Sequence, residues 1–139
     1  MKISQTINFD AAHRLLNYNG NCNNLHGHTW TVDIEIDSDR DMDEVGMLLD
    51  YRVIKQYFKD YYDHKTILNM DDPLVDILMA NNICVTIIKK NPTAENLAIK
   101  ILADFILLTN ANESDYINVK VRESAGNFAE VNNFDGACL

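Results

Sequence analysis

The sequence predicts an α+β fold: an antiparallel sheet with two helices packed on one face. Three patterns predict it. Segments near both ends alternate apolar and polar residues with period two, two stretches between them carry helix-start signals ahead of an apolar stripe, and no Pro/Gly/Ser linker, repeat or low-complexity tract interrupts the 139 residues. Residues 1–139 are therefore expected to form a single domain, long enough to bury its own core and too short for two.

In Ile3 to His13, residues Ile3, Ile7, Phe9, Ala11 and His13 share one parity, and Ser4, Thr6, Asn8 and Asp10 the other. His26 to Asp37 alternates more cleanly. His26, His28, Trp30, Val32, Ile34 and Ile36 fall on one face, with Thr29, Thr31, Asp33, Glu35 and Asp37 opposite. These are two strands of an antiparallel pair, each with one solvated face, joined by a loop rich in Asn and Gly. Asp50 caps a helix whose stripe is Ile54, Tyr57, Phe58 and Tyr61. Asp71 to Asn82 reads ambiguously, as a short helix with irregular ends, and Ile83 to Ile88 reads as a short buried strand. Pro92 and Thr93 open the second helix, carrying Leu97, Ile101, Phe105 and Leu108 on one side. Tyr116 to Glu123 alternates again, and Phe128 to Val131 can pair with it across the Ala125-Gly126 turn.

The composition narrows the function classes. A formal net charge of −9 argues against nucleic acid or an anionic membrane as the main partner, because both demand a basic face. A small anionic substrate needs only two or three placed cations, for which Arg14, Lys65, Lys89 and Lys90 are candidates. The first residues hold no apolar h-region, and no apolar run is long enough to span a bilayer. Three cysteines are then expected as reduced thiols of a cytoplasmic protein.

The four histidines carry the chemistry. His26 and His28, two apart on a strand, project to the same side, and that side is the apolar one. His13 is in phase with the apolar face of the neighbouring strand. Three imidazoles thus converge at one strand end, where zinc would find three nitrogen ligands and keep a fourth position open. The alternative is three separately hydrogen-bonded core histidines. Cys22, four residues before His26, is a base favoured as thiolate by the metal charge, a fourth ligand closing a structural site, or an ordinary loop thiol. Asp63 and His64 are a proton relay or a surface pair. Glu123, inward by parity, pairs with a planar amidine-like edge or with a nearby cation. Cys84 reads as core packing, and Cys138 supports no assignment.

Six segments together resemble one family: FDAAHRL from Phe9, CNNLHGH from Cys22, GMLLD ending at Asp50, YDHKTILN from Tyr62, NPTAENL from Asn91 and VRES from Val121. In this order they are similar to the 6-pyruvoyl-tetrahydropterin synthase superfamily. The resemblance implies a tunnelling fold, in which subunits close their sheets into a barrel as a trimer or hexamer with active sites between chains. It implies zinc on His13, His26 and His28, Cys22 as general base, and Asp63 and His64 completing the proton-transfer set. Glu123 would anchor the pterin, helped by Thr93 and Glu95. The implied substrate is 7,8-dihydroneopterin triphosphate. The Cys-x-x-x-His-Gly-His spacing resembles the bacterial branch that forms 6-carboxy-tetrahydropterin and acetaldehyde for queuosine synthesis. A pyruvoyl-forming or sepiapterin-cleaving relative, and a non-catalytic zinc oligomer, are the competing readings. Ser124 stands where the family commonly has Thr, and the 73–90 segment is longer than in compact bacterial members.

Overall fold

A computed structural model describes residues 1–135; Cys138 lies outside the described residues. The chain order is β1 (Lys2–His13), β2 (His26–Asp37), α1 (Tyr51–Tyr61), β3 (Lys65–Asn69), α2 (Leu74–Ala80), β4 (Val85–Ile88), α3 (Ala94–Leu108), β5 (Tyr116–Arg122) and β6 (Phe128–Asn132). The strands form one six-stranded sheet in the order β4-β3-β1-β2-β5-β6.

The first two alternating segments pair antiparallel over their whole length, from Lys2 opposite Asp37 to His13 opposite His26. Both helices expected from the caps are present. Asp50 accepts from the Arg52 amide at 2.8 Å, and Thr93 accepts from the Asn96 amide at 3.3 Å. Their inward residues Ile54, Phe58, Leu97, Ile101 and Phe105 join Phe9, Trp30, Val32, Ile34, Val119 and Val121 in one buried cluster. The opposite parity of β1 and β2 stays solvated and is laced by side-chain bonds, among them Thr31 to Asn8 at 2.8 Å and Thr29 to Asp10 at 2.5 Å.

Four expectations need correction. The sheet is mixed, because β3 lies parallel to β1 and β4 parallel to β3. β3 escaped notice because Thr66, Ile67 and Leu68 are all buried, so the segment has no alternation to read. A third helix, α2, is the crossover that parallel β3 and β4 require. It is short, and at its start the Asp72 carboxylate accepts from the Leu74 amide at 2.8 Å. β4 is an edge strand, so Ile83 and Ile87 are exposed, and Cys84, just ahead of it, is exposed rather than packed in the core. Both helix stripes also end a turn early. Tyr61 and Leu108 are exposed, and Tyr62 takes the buried place at the end of α1. No helix among the described residues is long and apolar enough to cross a membrane.

Phe58 touches the sheet through Phe9 at 5.6 Å between ring centroids, and meets Phe105 of α3 at 6.3 Å. Phe58→Ala should therefore cost about 3–5 kcal/mol of stability, read from urea midpoints at constant slope. A loss under about 1 kcal/mol would mean that α1 is not docked as described.

Candidate metal centre and active site

The β1–β2 register assembles the histidines. His13 and His26 are direct cross-strand partners, and His28 lies opposite Ala11 on the same face. Ring centroids are 4.5 Å apart for His13 and His26, 5.2 Å for His13 and His28, and 5.0 Å for His26 and His28. Trp30 floors the cluster, edge-on to His13 at 4.9 Å. Glu123 follows β5 on the inward parity and brings a carboxylate to the same point. One ligand atom from each of His13, His26, His28 and Glu123 lies within 4.8 Å of all the others.

Backbone carbonyls set two of the tautomers. His13 Nδ1 lies 2.8 Å from the Pro92 carbonyl, and His26 Nδ1 2.8 Å from the Asn24 carbonyl. A carbonyl can only accept, so each Nδ1 carries the proton and each Nε2 keeps its lone pair for the cluster. His13 is 1% exposed, and burial pushes its pKa below the ordinary imidazole value. His13 Nε2 and His28 Nε2 are buried without a hydrogen-bond partner. Glu123 Oε1 is 3.0 Å from His28 Nε2 and 3.5 Å from His13 Nε2, but it is not aligned as an acceptor. Buried nitrogens left unpaired are costly unless something else satisfies them. Three imidazoles and a carboxylate are a donor set that a divalent transition metal such as zinc fits.

A cavity of about 510 Å³ opens on the cluster, and its walls include His13, Cys22, Thr93, Glu95 and Glu123. Cys22 sits in a 3-10 turn, Asn21–Asn23, held by a bond from the Leu15 amide to the Cys22 carbonyl at 2.8 Å. It is not among the clustered donors, so the structural site closed by Cys22 is not what the side chains form. Thr93 caps α3, and its hydroxyl together with the Glu95 amide holds the Glu95 carboxyl below the usual carboxylate range.

Asp63 and His64 stand elsewhere. Asp63 Oδ1 lies 3.0 Å from His64 Nδ1 and accepts from the Asp10 amide at 3.2 Å, while the His64 amide donates to the Asp10 carbonyl at 2.8 Å. Against burial, which would raise it, the Asp10 amide and the His64 ring hold the Asp63 carboxyl below its ordinary range. His64 has φ of 57°, a left-handed backbone uncommon outside glycine. It lines a depression with Asp10, Ala11, Gly27, His28 and Thr29, and not the cavity that holds Cys22. A single chain therefore does not bring the pair to the thiol.

Arg14 is withdrawn as a free cation, since Asp72 takes its Nε and Nη2 at 2.7 and 2.6 Å. Sequence reasoning missed Glu123 as a member of the histidine cluster, although its parity with Val119 and Val121 carried that signal. It also missed the Pro92 and Asn24 carbonyls, which have no side-chain signature at all.

The 6-pyruvoyl tetrahydropterin synthase family profile matches residues 2–133. The 6-carboxy-5,6,7,8-tetrahydropterin synthase of Rickettsia bellii is 32% identical over 138 residues, covering 94% of this chain and 99% of that one. The enzyme of the same name from Rickettsia typhi is 30% identical over 138 residues, with the same coverage. In fold, an uncharacterized protein of Wolinella succinogenes aligns with a TM-score of 0.72 at 20% identity, covering 96% of this chain and 98% of that one. The 6-pyruvoyl tetrahydropterin synthase of Plasmodium vivax aligns with a TM-score of 0.63 at 20% identity, covering 95% and 98%.

With its folded pKa lowered by burial, His13 resists a proton that the unfolded chain accepts near pH 6.5. Metal-stripped protein should hold its full stability above that pH and lose it as the pH falls below. Urea midpoints at pH 7.5 and 5.5 should show the decline, and His13→Gln should flatten it. Equal declines in both proteins would assign the effect to other groups.

Proposed function

The chain belongs to the 6-pyruvoyl tetrahydropterin synthase family, and on that premise we propose that it is a zinc-dependent 6-carboxy-5,6,7,8-tetrahydropterin synthase. It takes 7,8-dihydroneopterin triphosphate and water to 6-carboxy-tetrahydropterin, acetaldehyde and triphosphate, a lyase step of queuosine synthesis in the cytoplasm. The observation that carries this reading is the three-histidine cluster opening on a cavity that also holds a thiol and two carboxylates. The relatives named for the carboxy-forming reaction match nearly the whole chain and support that branch.

His13, His26 and His28 would hold the metal through Nε2. Bound there, zinc supplies Lewis acidity that lowers the pKa of hydroxyls and adjacent C–H bonds on the substrate side chain. Cys22, on the wall of the same cavity, takes the proton released from that side chain. Glu123 accepts from the amino-pyrimidine edge, with Thr93 and Glu95 at the start of α3 completing the pterin seat. His64, oriented by Asp63, handles the second proton.

The Asp63–His64 pair reaches a thiol only if a second copy of the chain supplies it. The free edges of β4 and β6, with Ile87 and Phe128 exposed beside them, support subunits that continue the sheet into a barrel, as a trimer or hexamer. Residues 1–139 would then act as one tunnelling-fold unit with its active sites between chains.

Purified zinc-loaded protein given 7,8-dihydroneopterin triphosphate should yield 6-carboxy-tetrahydropterin with equimolar acetaldehyde, read by mass spectrometry and aldehyde trapping. A pyruvoyl product would move the assignment to the other branch of the family, and no product would leave a binding protein. Cys22→Ala should keep its zinc and lose on the order of 10²–10⁴ in turnover. Loss of zinc with the thiol would instead make Cys22 a ligand. Glu123→Gln separates the two roles open to that carboxylate. A raised KM with zinc affinity unchanged is expected of a substrate anchor, and weakened zinc binding would make it a metal ligand.

A further inference from the structure

We infer that Asn91 is a positioning residue that locks the metal ligand His13, the Cys22 turn and the start of α3 into one unit. Its side-chain amide spans the Leu16 peptide like a neighbouring strand. Asn91 Oδ1 accepts from the Leu16 amide at 2.9 Å, and Asn91 Nδ2 donates to the Leu16 carbonyl at 2.9 Å. Asn69 Nδ2 adds a third bond to Asn91 Oδ1 at 3.3 Å.

Leu16 lies three residues after His13, and its neighbour Leu15 donates to the Cys22 carbonyl at 2.8 Å. The Asn91 bridge thus fixes the segment from which the thiol turn hangs. On its backbone side, the Asn91 carbonyl accepts from Asn96 Nδ2 at 2.9 Å and from the Thr93 amide at 2.8 Å. The peptide between these anchors carries the Pro92 carbonyl that holds His13 Nδ1. Pro92 has no amide of its own and a fixed φ, so its carbonyl can be aimed only by the residues on either side. Asn91 and Asn96 supply that aim. Outer partners of metal-bound histidines typically govern metal affinity by 10- to 100-fold.

The inference rests on reading the three histidines as a zinc site, and its test keeps the two apart. Zinc affinity is measured by competition with a chromophoric chelator. Cys22 alkylation by iodoacetamide is followed by peptide mass spectrometry on metal-free protein. Asn91→Ala should weaken zinc about tenfold and change the rate of Cys22 modification. Asn91→Asp keeps the acceptor for the Leu16 amide and loses the donor to its carbonyl, so it should fall between the parent and Asn91→Ala. Phe58→Ala, destabilised at a distance from the site, should bind zinc as the parent does, which separates positioning from general loss of stability. If Asn91→Ala does not fold, Asn96→Ala carries the test, with weaker zinc binding and an unchanged Cys22 rate. Parent-like affinity and parent-like alkylation in the folded variants would overturn the inference. A parent that binds no zinc would instead overturn the metal reading, and the alkylation rates would still decide the role of Asn91.

Discussion

Everything at the candidate site depends on the register of one hairpin. β1 and β2 pair over twelve residues, and the pairing ends with His13 directly opposite His26. Because side chains alternate between faces, a slip of one residue would send one strand's histidines into solvent and its Thr and Asp residues into the core. The cost of burying Asp10 or Thr31 among Phe9, Trp30 and Val32 is what holds the register. The geometry of the clustered donors is thus secured by hydrophobic burial several residues away from it. The small side chain of Ala11, opposite His28, leaves that ring space to lean toward His13.

The same face that gathers the imidazoles also disfavours the charged form of His13. His13 is enclosed by Trp30, the Pro92 carbonyl and two other rings, and burial disfavours its charged form. Carbonyl acceptors on Nδ1 turn that neutrality into a direction by pointing the lone pairs inward. Glu123 arrives from the far side of β2. The β2–β5 ladder ends at Thr31 and Arg122, so the next inward position on β5 faces Trp30 and the cluster. One face of a three-strand segment therefore supplies all four clustered donors, and the helices pack on that same face.

Much of this was legible in the sequence, and the reasons differ by element. β1, β2 and β5 each have one solvated face, so their alternation showed the strands, the common side of His13, His26 and His28, and the inward parity of Glu123, though not its place beside the histidines. Asp50 and Thr93 marked their helices because capping is a local interaction. β3 was hidden because both of its faces are covered, which erased the pattern. The exposure of Cys84 and Ile87 depended on β4 lying at an edge, a property of topology and not of local sequence. The separation of His64 from Cys22 likewise comes from how α1 returns the chain to β1. Asn91 stood only as the first residue of the NPTAENL segment, and its bonds to Leu16 span 75 residues.

The hairpin register also sets an order of assembly. All three imidazoles lie within the first 28 residues, whereas the carbonyl that orients His13 belongs to Pro92 and the carboxylate to Glu123. During synthesis the histidines leave the ribosome well before the groups that aim them. An early strand pair would gather the rings without fixing their tautomers, and an ion captured then would sit in a loose and exchangeable site. Tight and selective retention would begin only once α3 and β5 had closed over the cluster, so the grip on an ion would report how much of the chain has folded.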